Sequence, residues 1–342
     1  MTEKILVTGG TGYIGSHTVV ELQQAGFRVV IIDDLSNSEI SVVDSIEKIT
    51  GIRPETEVFD LTDAAKTDDF FNRHHNIKAS IHFAASKAVG ESVEKPLQYY
   101  RNNLVSLMNL LECQIKYDIR NIVFSSSCTV YGQPGKLPVT ENTPRLEAES
   151  PYGNTKRISE DILRDTVKAN SGIQAIALRY FNPVGAHPSA LIGELPRGVP
   201  GNLVPFITQT AAGIREQLSV FGNDYDTPDG SAIRDFINVV DLAKAHVVAI
   251  ERLLTGRNRT AFEIFNLGTG NGVSVLELLN VFEKVTGVKL NYKIVGRRPG
   301  DIEKIWADTS YANLELGWKA EKSLEETLLS AWQWEKAIRG IQ

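Results

Sequence analysis

Tyr152 and Lys156 stand four residues apart, about one helical turn, directly after Ser150-Pro151. Ser as an N-cap followed by Pro at the first helical position is a helix-start pattern, so the spacing predicts a helix from Pro151 with Tyr152 in its first turn and Lys156 on the same face. A free phenol has a pKa of about 10. A neighbouring ammonium favours the phenolate, so the pair is expected to supply a general base near neutral pH. Near the N-terminus, Thr8-Gly9-Gly10-Thr11-Gly12-Tyr13-Ile14-Gly15 follows a strand-like run and opens a helical one. Gly9, Gly12 and Gly15 permit a tight turn and a close approach of backbone amides to a pyrophosphate at the helix N-terminus. Asp33, at the end of the next strand-like run, can bind the adenosine ribose hydroxyls and repels a 2′-phosphate, which favours NAD over NADP despite Arg28 in the same run. An oxidised nicotinamide nearby would further favour the Tyr152 phenolate.

Other signals carry less. The six histidines, His17, His74, His75, His82, His187 and His246, lack paired ligand spacing, so no metal is expected, and His74-His75 reads as a solvated helix end. Gly268-Thr269-Gly270-Asn271-Gly272 looks like a second phosphate loop but lacks a following Lys-Ser or Lys-Thr and is expected to be a turn into the next helix. Cys128, beside Ser127, has no identifiable base, and both it and Cys113 are expected to be free thiols.

The elements that must position these residues alternate. Strand-like runs at Lys4–Thr8, Arg28–Ile32, Ser80–Phe83, Asn121–Ser125 and Ala175–Leu178 are separated by segments long enough for crossover helices, which predicts an α/β fold with a doubly wound, Rossmann-type parallel sheet. Leu104, Leu107, Met108, Leu111 and Ile115 form one helical stripe facing the sheet or a partner subunit. Between Asn182 and Arg234 the chain turns Pro- and Gly-rich and reads as loops. A helix opens at Val239–Ala243 and another carries Trp332 and Trp334. The expected division is a dinucleotide-binding domain over 1–181 with a returning segment near 236–266, and a smaller C-terminal substrate-binding lobe over 182–235 and 267–342. With 342 residues, net charge −6, no membrane-length apolar run and no leader pattern before Ile5, a cytoplasmic globular enzyme is expected, with no nucleic-acid or membrane partner.

Together these motifs resemble the extended short-chain dehydrogenase/reductase family, and within it the nucleotide-sugar 4-epimerases. The match runs along nearly the whole chain through His82-Phe83-Ala84, Lys87–Ser92, Ser125-Ser126-Ser127, Thr129–Gly132, Arg179–Pro188, Phe221–Tyr225 and Arg298 through Asp301. The resemblance implies a UDP-hexose substrate. Tyr152 would take the 4-hydroxyl proton while hydride passes from C4 to tightly held NAD; the 4-keto sugar would turn over and receive the hydride on its other face, interconverting UDP-galactose and UDP-glucose. It implies that Ser127 bridges Tyr152 and the substrate oxygen, and that Lys156 orients the nicotinamide ribose and lowers the Tyr152 pKa. Around NAD it places Gly9, Gly12, Tyr13, Ile14, Gly15, Asp33, Asn37, Asp60, Phe83, Lys87, Asn102 and Phe181. Around the UDP-sugar it places Arg234 and Arg298 on the diphosphate, with Asn182, Asn202, Leu203, Phe221, Asp301 and Ile305 lining the nucleotide and sugar.

Two departures stand out. Gly201-Asn202 replaces an Asn-Asn pair, and Ile305 occupies a wall position where some relatives carry Tyr. The smaller side chain leaves more room near the 2-substituent, and some activity on N-acetylated UDP-hexosamines is expected. A nucleotide-sugar 4,6-dehydratase is the nearest rival, but the two positions before Val130-Tyr131-Gly132 hold Cys128 and Thr129 rather than the Asp-Glu pair that elimination uses. A reductase with exchangeable NADP would differ in releasing its cofactor, and a dinucleotide-sensing regulator would have no need of Ser127, Tyr152 and Lys156 together. The resemblance also suggests a homodimer formed through the helices around Leu104–Ile115 and Tyr152–Val167.

Overall fold

The computed structural model describes residues 3–297 and 302–342, so the candidate ligands Arg298 and Asp301 lie outside the described residues. The first half runs β1 (Lys4–Thr8), α1 (Tyr13–Gln24), β2 (Arg28–Asp33), α2 (Val42–Thr50), β3 (Glu55–Val58), α3 (Ala64–Arg73), β4 (Ile77–His82), α4 (Val89–Glu94), α5 (Pro96–Lys116), β5 (Asn121–Ser127), α6 (Pro151–Ala169) and β6 (Gln174–Tyr180). There follow β7 (Asn182–Val184), α7 (Leu203–Ala211), β8 (Leu218–Phe221), β9 (Ile233–Arg234), β10 (Phe236–Asn238), α8 (Val239–Leu254) and β11 (Phe262–Leu267). The chain closes with β12 (Val273–Ser274), α9 (Val275–Thr286), β13 (Tyr292–Val295), β14 (Lys304–Ile305) and α10 (Leu324–Arg339).

Seven strands form one sheet in the order β11-β6-β5-β4-β1-β2-β3, every neighbouring pair parallel. This is the doubly wound Rossmann arrangement expected from the sequence, and the order reverses between β1 and β4, where a crevice must open at the carboxyl ends. Alternation along the strands builds two cores. Ile5, Val7, Val29 and Ile31 pack toward α1 and α8, whereas Leu6, Val30 and Ile32 pack with Phe70, Leu107 and Leu163 of α3, α5 and α6 on the other face. All of these side chains are buried, each contributing about 1.5–3 kcal/mol by transfer from water.

A third core gathers Val204, Ile207, Val220, Leu278, Phe282, Leu328 and Trp332 from α7, β8, α9 and α10. Both α9 and α10 begin with capping boxes, Ser274 with Glu277 and Ser323 with Glu326. Here the structure corrects the expectation of loops over 182–234: α7 and short strands lie within it. Pro205 sits in the first turn of α7, where it costs no hydrogen bond, so the helix is hidden inside Pro-rich sequence. The Leu104–Ile115 stripe divides, with Leu107 and Leu111 buried and Met108 and Ile115 exposed. His74 is no solvated end; its ring stacks on Phe70 and bonds Glu57 and Lys4.

Candidate active site

At the switch point the glycine loop is tightly packed. A Cβ on Gly15 would stand 2.1 Å from the Gly9 carbonyl, and one on Gly9, where φ is +70°, 2.8 Å from the Ala84 amide. Gly12 is the N-cap of α1 and offers no side-chain cap, leaving the Tyr13 and Ile14 end of the helix in the form that takes an anionic group. Asp33, buried at the end of β2, accepts hydrogen bonds from the Thr11 amide at 3.1 Å, the Leu35 amide at 3.0 Å and the Ser38 hydroxyl at 2.9 Å. Loop, helix start and carboxylate therefore meet, and their chemistry fits a dinucleotide's pyrophosphate and ribose. Phe83 follows β4, its amide donating to the Thr8 carbonyl and its ring packing on His246. Asn37 lies exposed in the bend after β2, and Asp60 is exposed beyond β3 with its carboxylate accepting the Thr62 amide. The Phe59 amide donates to the Asp33 carbonyl, which keeps Asp60 near this corner.

Tyr152 and Lys156 lie in the first turns of α6. Ser150 caps α6 by accepting the Gly153 amide at 3.2 Å, Pro151 opens the helix, and Tyr152 and Lys156 share a face, with Lys156 Nζ 5.8 Å from the Tyr152 ring centroid. Lys156 is buried and donates to the Ser125 carbonyl at 2.7 Å. Ser127 ends β5 and accepts the Thr129 amide at 3.2 Å, so it is both a strand-end cap and a neighbour of the phenol. Burial pushes Tyr152 up to about 12, and the Ser127 hydroxyl opposes this. The expected lowering by Lys156 is therefore not what the protein scaffold imposes. Burial also pulls Lys156 down to about 7, against the Glu160 charge, so the lysine itself is a weakened cation.

Among the candidate substrate residues, Ile305 of β14 is in register with Arg234 of β9 and is buried with Phe181, Val130 and Tyr131. Arg234 donates to the Ile233 carbonyl at 2.8 Å. Asn182 begins β7, Asn202 is the N-cap of α7, Leu203 opens that helix half-buried, and Phe221 ends β8 exposed. Glu194, which no sequence motif marks, joins the two sides by accepting from Lys87 at 3.3 Å and Asn202 at 2.6 Å. Tyr13 donates to the Gly185 carbonyl at 2.7 Å, and Arg197 donates to the Ser36 and Ser38 carbonyls. The segment 185–197 thus straps the crevice. Asn102 of α5 donates to the Ser86 hydroxyl at 3.2 Å.

A buried network behind the pair also escapes sequence motifs. Glu160 accepts from the Ser126 hydroxyl at 2.6 Å and from Arg179 Nε and Nη2 at 2.8 and 2.6 Å; Arg179 continues to Tyr131, whose hydroxyl donates to Asn266. It ties α6 to β5, β6 and β11. The available signal was Glu160 one turn beyond Lys156, but an internal acid on a helix is ordinarily solvated, and only the fold brings Arg179 to it.

Comparison with known proteins fits this geometry. The family model for GDP-mannose 4,6 dehydratase matches residues 6–330. The UDP-glucose 4-epimerase of Bacillus subtilis is 51% identical over 333 residues, covering 97% of each chain. Among solved structures, the Bifidobacterium longum UDP-glucose 4-epimerase in complex with NAD+ and UDP superposes with a TM-score of 0.94 at 44% identity, covering 99% of this chain and 100% of that one. The Stenotrophomonas maltophila UDP-glucose 4-epimerase with bound NAD and formylated UDP-arabinopyranose gives 0.95 at 46% identity, with the same coverage. A Rossmann sheet, a Gly-Asp dinucleotide corner and a Ser-Tyr-Lys group, carried on a chain half identical to these enzymes, place this protein in the UDP-glucose 4-epimerase family of extended short-chain dehydrogenase/reductases.

Proposed function

We propose that the protein is an NAD-dependent isomerase that interconverts UDP-galactose and UDP-glucose at C4. The observation that carries this reading is the meeting of Ser127, Tyr152 and Lys156 at the carboxyl end of β5, on the same edge of the parallel sheet as the glycine loop and Asp33. NAD, held by Gly9, Gly12, Tyr13, Ile14, Gly15 and Asp33, supplies a hydride acceptor when bound. Tyr152 takes the proton of the sugar 4-hydroxyl, with Ser127 passing a hydrogen bond between phenol and substrate. Lys156 would hold the nicotinamide ribose, and the Ser127 hydroxyl favours the phenolate against the burial that opposes it. Arg234 and Arg298 anchor the diphosphate, with Asn182, Asn202, Leu203, Phe221 and Asp301 around the nucleotide. The sugar is then joined only through rotatable bonds and its 4-keto form can present either face.

Elimination chemistry is disfavoured because burial pushes the Cys128 thiol up to about 12, so neither it nor Thr129 can serve as the carboxylate pair. The test is incubation of purified protein with UDP-galactose and no added cofactor. UDP-glucose formed without external NAD supports the reading; no conversion with NAD added refutes it.

Ile305 extends the proposal to N-acetylated UDP-hexosamines. Ile305→Tyr should lower the ratio of N-acetylhexosamine to hexose turnover, and an unchanged ratio removes Ile305 from specificity. We also propose a homodimer through α5 and α6, supported by exposed Leu97, Met108 and Ile115 on α5. A monomer by light scattering at micromolar concentration contradicts it.

A further inference from the structure

The glycine-rich loop Gly268-Thr269-Gly270 does bind an anion, and that anion is the protein's own. Asp235 is fully buried. Its Oδ1 accepts from the Thr269 amide at 2.8 Å and the Thr269 hydroxyl at 2.7 Å; its Oδ2 accepts from the Gly270 amide at 3.1 Å and the Ala307 amide at 3.2 Å. A Cβ on Gly268 would fall 2.3 Å from Oδ2, so the loop closes on the carboxylate with no room for another side chain. The Asp235 carbonyl meanwhile accepts the Asn182 amide at 3.0 Å.

Two of these bonds, from the Ala307 and Asn182 amides, reach segments bearing substrate candidates, while the other three fasten the 268–270 loop. Arg234 immediately precedes Asp235. Ile305, paired with Arg234 across β9 and β14, lies two residues before Ala307. Asn182 opens β7 beside β10. Both Arg234 and Asp235 act electrostatically on Cys128, the residue after Ser127, so this junction adjoins the reacting end of β5.

We propose that Asp235 is a positioning residue for the UDP-sugar: it pins three chain segments at one point, thereby aiming Arg234 at the diphosphate and fixing the Ile305 wall, without touching substrate. Four donors on one carboxylate make it irreplaceable by its amide, because an Asn nitrogen would face N–H groups. The proposal rests on the UDP-hexose reading of the site.

The experiment compares wild type with Asp235→Asn and Thr269→Val as holoproteins, measuring bound NAD, the Kd for UDP, and kcat and KM for UDP-galactose. In D235N, Kd and KM should rise about tenfold while kcat stays within about threefold and NAD is retained. T269V removes one donor and keeps the amide, so KM should rise about threefold. Unchanged Kd and KM in a folded D235N, or a fall in kcat at constant KM, overturns the positioning role. If D235N does not fold, T269V decides alone, and wild-type UDP affinity in it overturns the proposal. A wild type that neither binds UDP nor converts UDP-galactose defeats instead the underlying reading.

Discussion

Acid should loosen the dinucleotide-binding core, because three of its histidines are held neutral by burial. His17 and His82 are pulled down to about 3 and His246 to about 4. Each has one anchored nitrogen: His17 Nδ1 to the Tyr13 carbonyl, His82 Nδ1 to the Thr8 hydroxyl, His246 Nδ1 to the Leu242 carbonyl. The Nε2 atoms of His17 and His246 are buried without a protein partner among the described residues, so a proton there would find no acceptor. In the unfolded chain all three titrate near 6.5. Below that value the unfolded state binds more protons than the folded one, so the stabilisation is complete above about pH 6.5 and is lost as the pH falls toward the folded values. At pH 4.5 each histidine costs about 2.7 kcal/mol, and the three together roughly 8 kcal/mol, against a total stability of roughly 5–15 kcal/mol. Lys156 titrates in a separate window: its folded value of about 7 lies below the usual 10.5, so its penalty is already complete below pH 7 and adds no slope there. Thermal unfolding followed by circular dichroism from pH 8 to 4.5 should show Tm falling by roughly 11 °C below pH 6.5. His246→Gln should remove about a third of the slope, which is about 4 kcal/mol per pH unit in the wild type. A Tm flat between pH 7 and 5, or a His246→Gln slope equal to wild type, refutes the reasoning.

Three substitutions probe the site and its support. Tyr152→Phe deletes the phenolic oxygen while keeping the ring; kcat for UDP-galactose should fall about 10²–10⁴-fold with bound NAD retained, and a smaller loss would assign the base elsewhere. Gly15→Ala drives a methyl to 2.1 Å from the Gly9 carbonyl, so the purified variant should carry little NAD by absorbance after denaturation; full retention would mean that the loop yields. Arg179→Met strands Glu160 in the interior and should cost about 3–5 kcal/mol in denaturant unfolding, whereas a loss below about 1 kcal/mol would show Arg145 and Ser126 to be sufficient partners.

Much of the fold and the site is legible in local patterns. The apolar runs locate the strands, the glycine spacing with Asp33 marks the crevice, and Ser150-Pro151 announces the helix that presents Tyr152 and Lys156 on one face. These patterns work because strand alternation, capping and helical periodicity depend on neighbours within a few residues. The same locality explains what they miss. α7 hides in Pro-rich sequence because a proline in a first turn is indistinguishable in composition from one in a loop. The Gly268–Gly270 loop matches a phosphate cradle, yet its anion, Asp235, arrives from 34 residues earlier in the chain.

The sign of the Tyr152 shift is likewise beyond local pattern. Spacing puts a lysine beside the phenol, but burial is a property of the whole fold, and here it outweighs the Ser127 hydrogen bond at the phenol and weakens the lysine's charge as well. Residue order alone was enough for the sheet, the glycine turn beside Asp33 and the shared helix face of Tyr152 and Lys156, because each is written in short-range spacing. Which distant partners these segments find was settled only by the folded chain: Glu160 with Arg179, Glu194 with Lys87 and Asn202, Asp235 with Thr269, Gly270 and Ala307. Desolvation and long-range pairing exist only once distant segments have met.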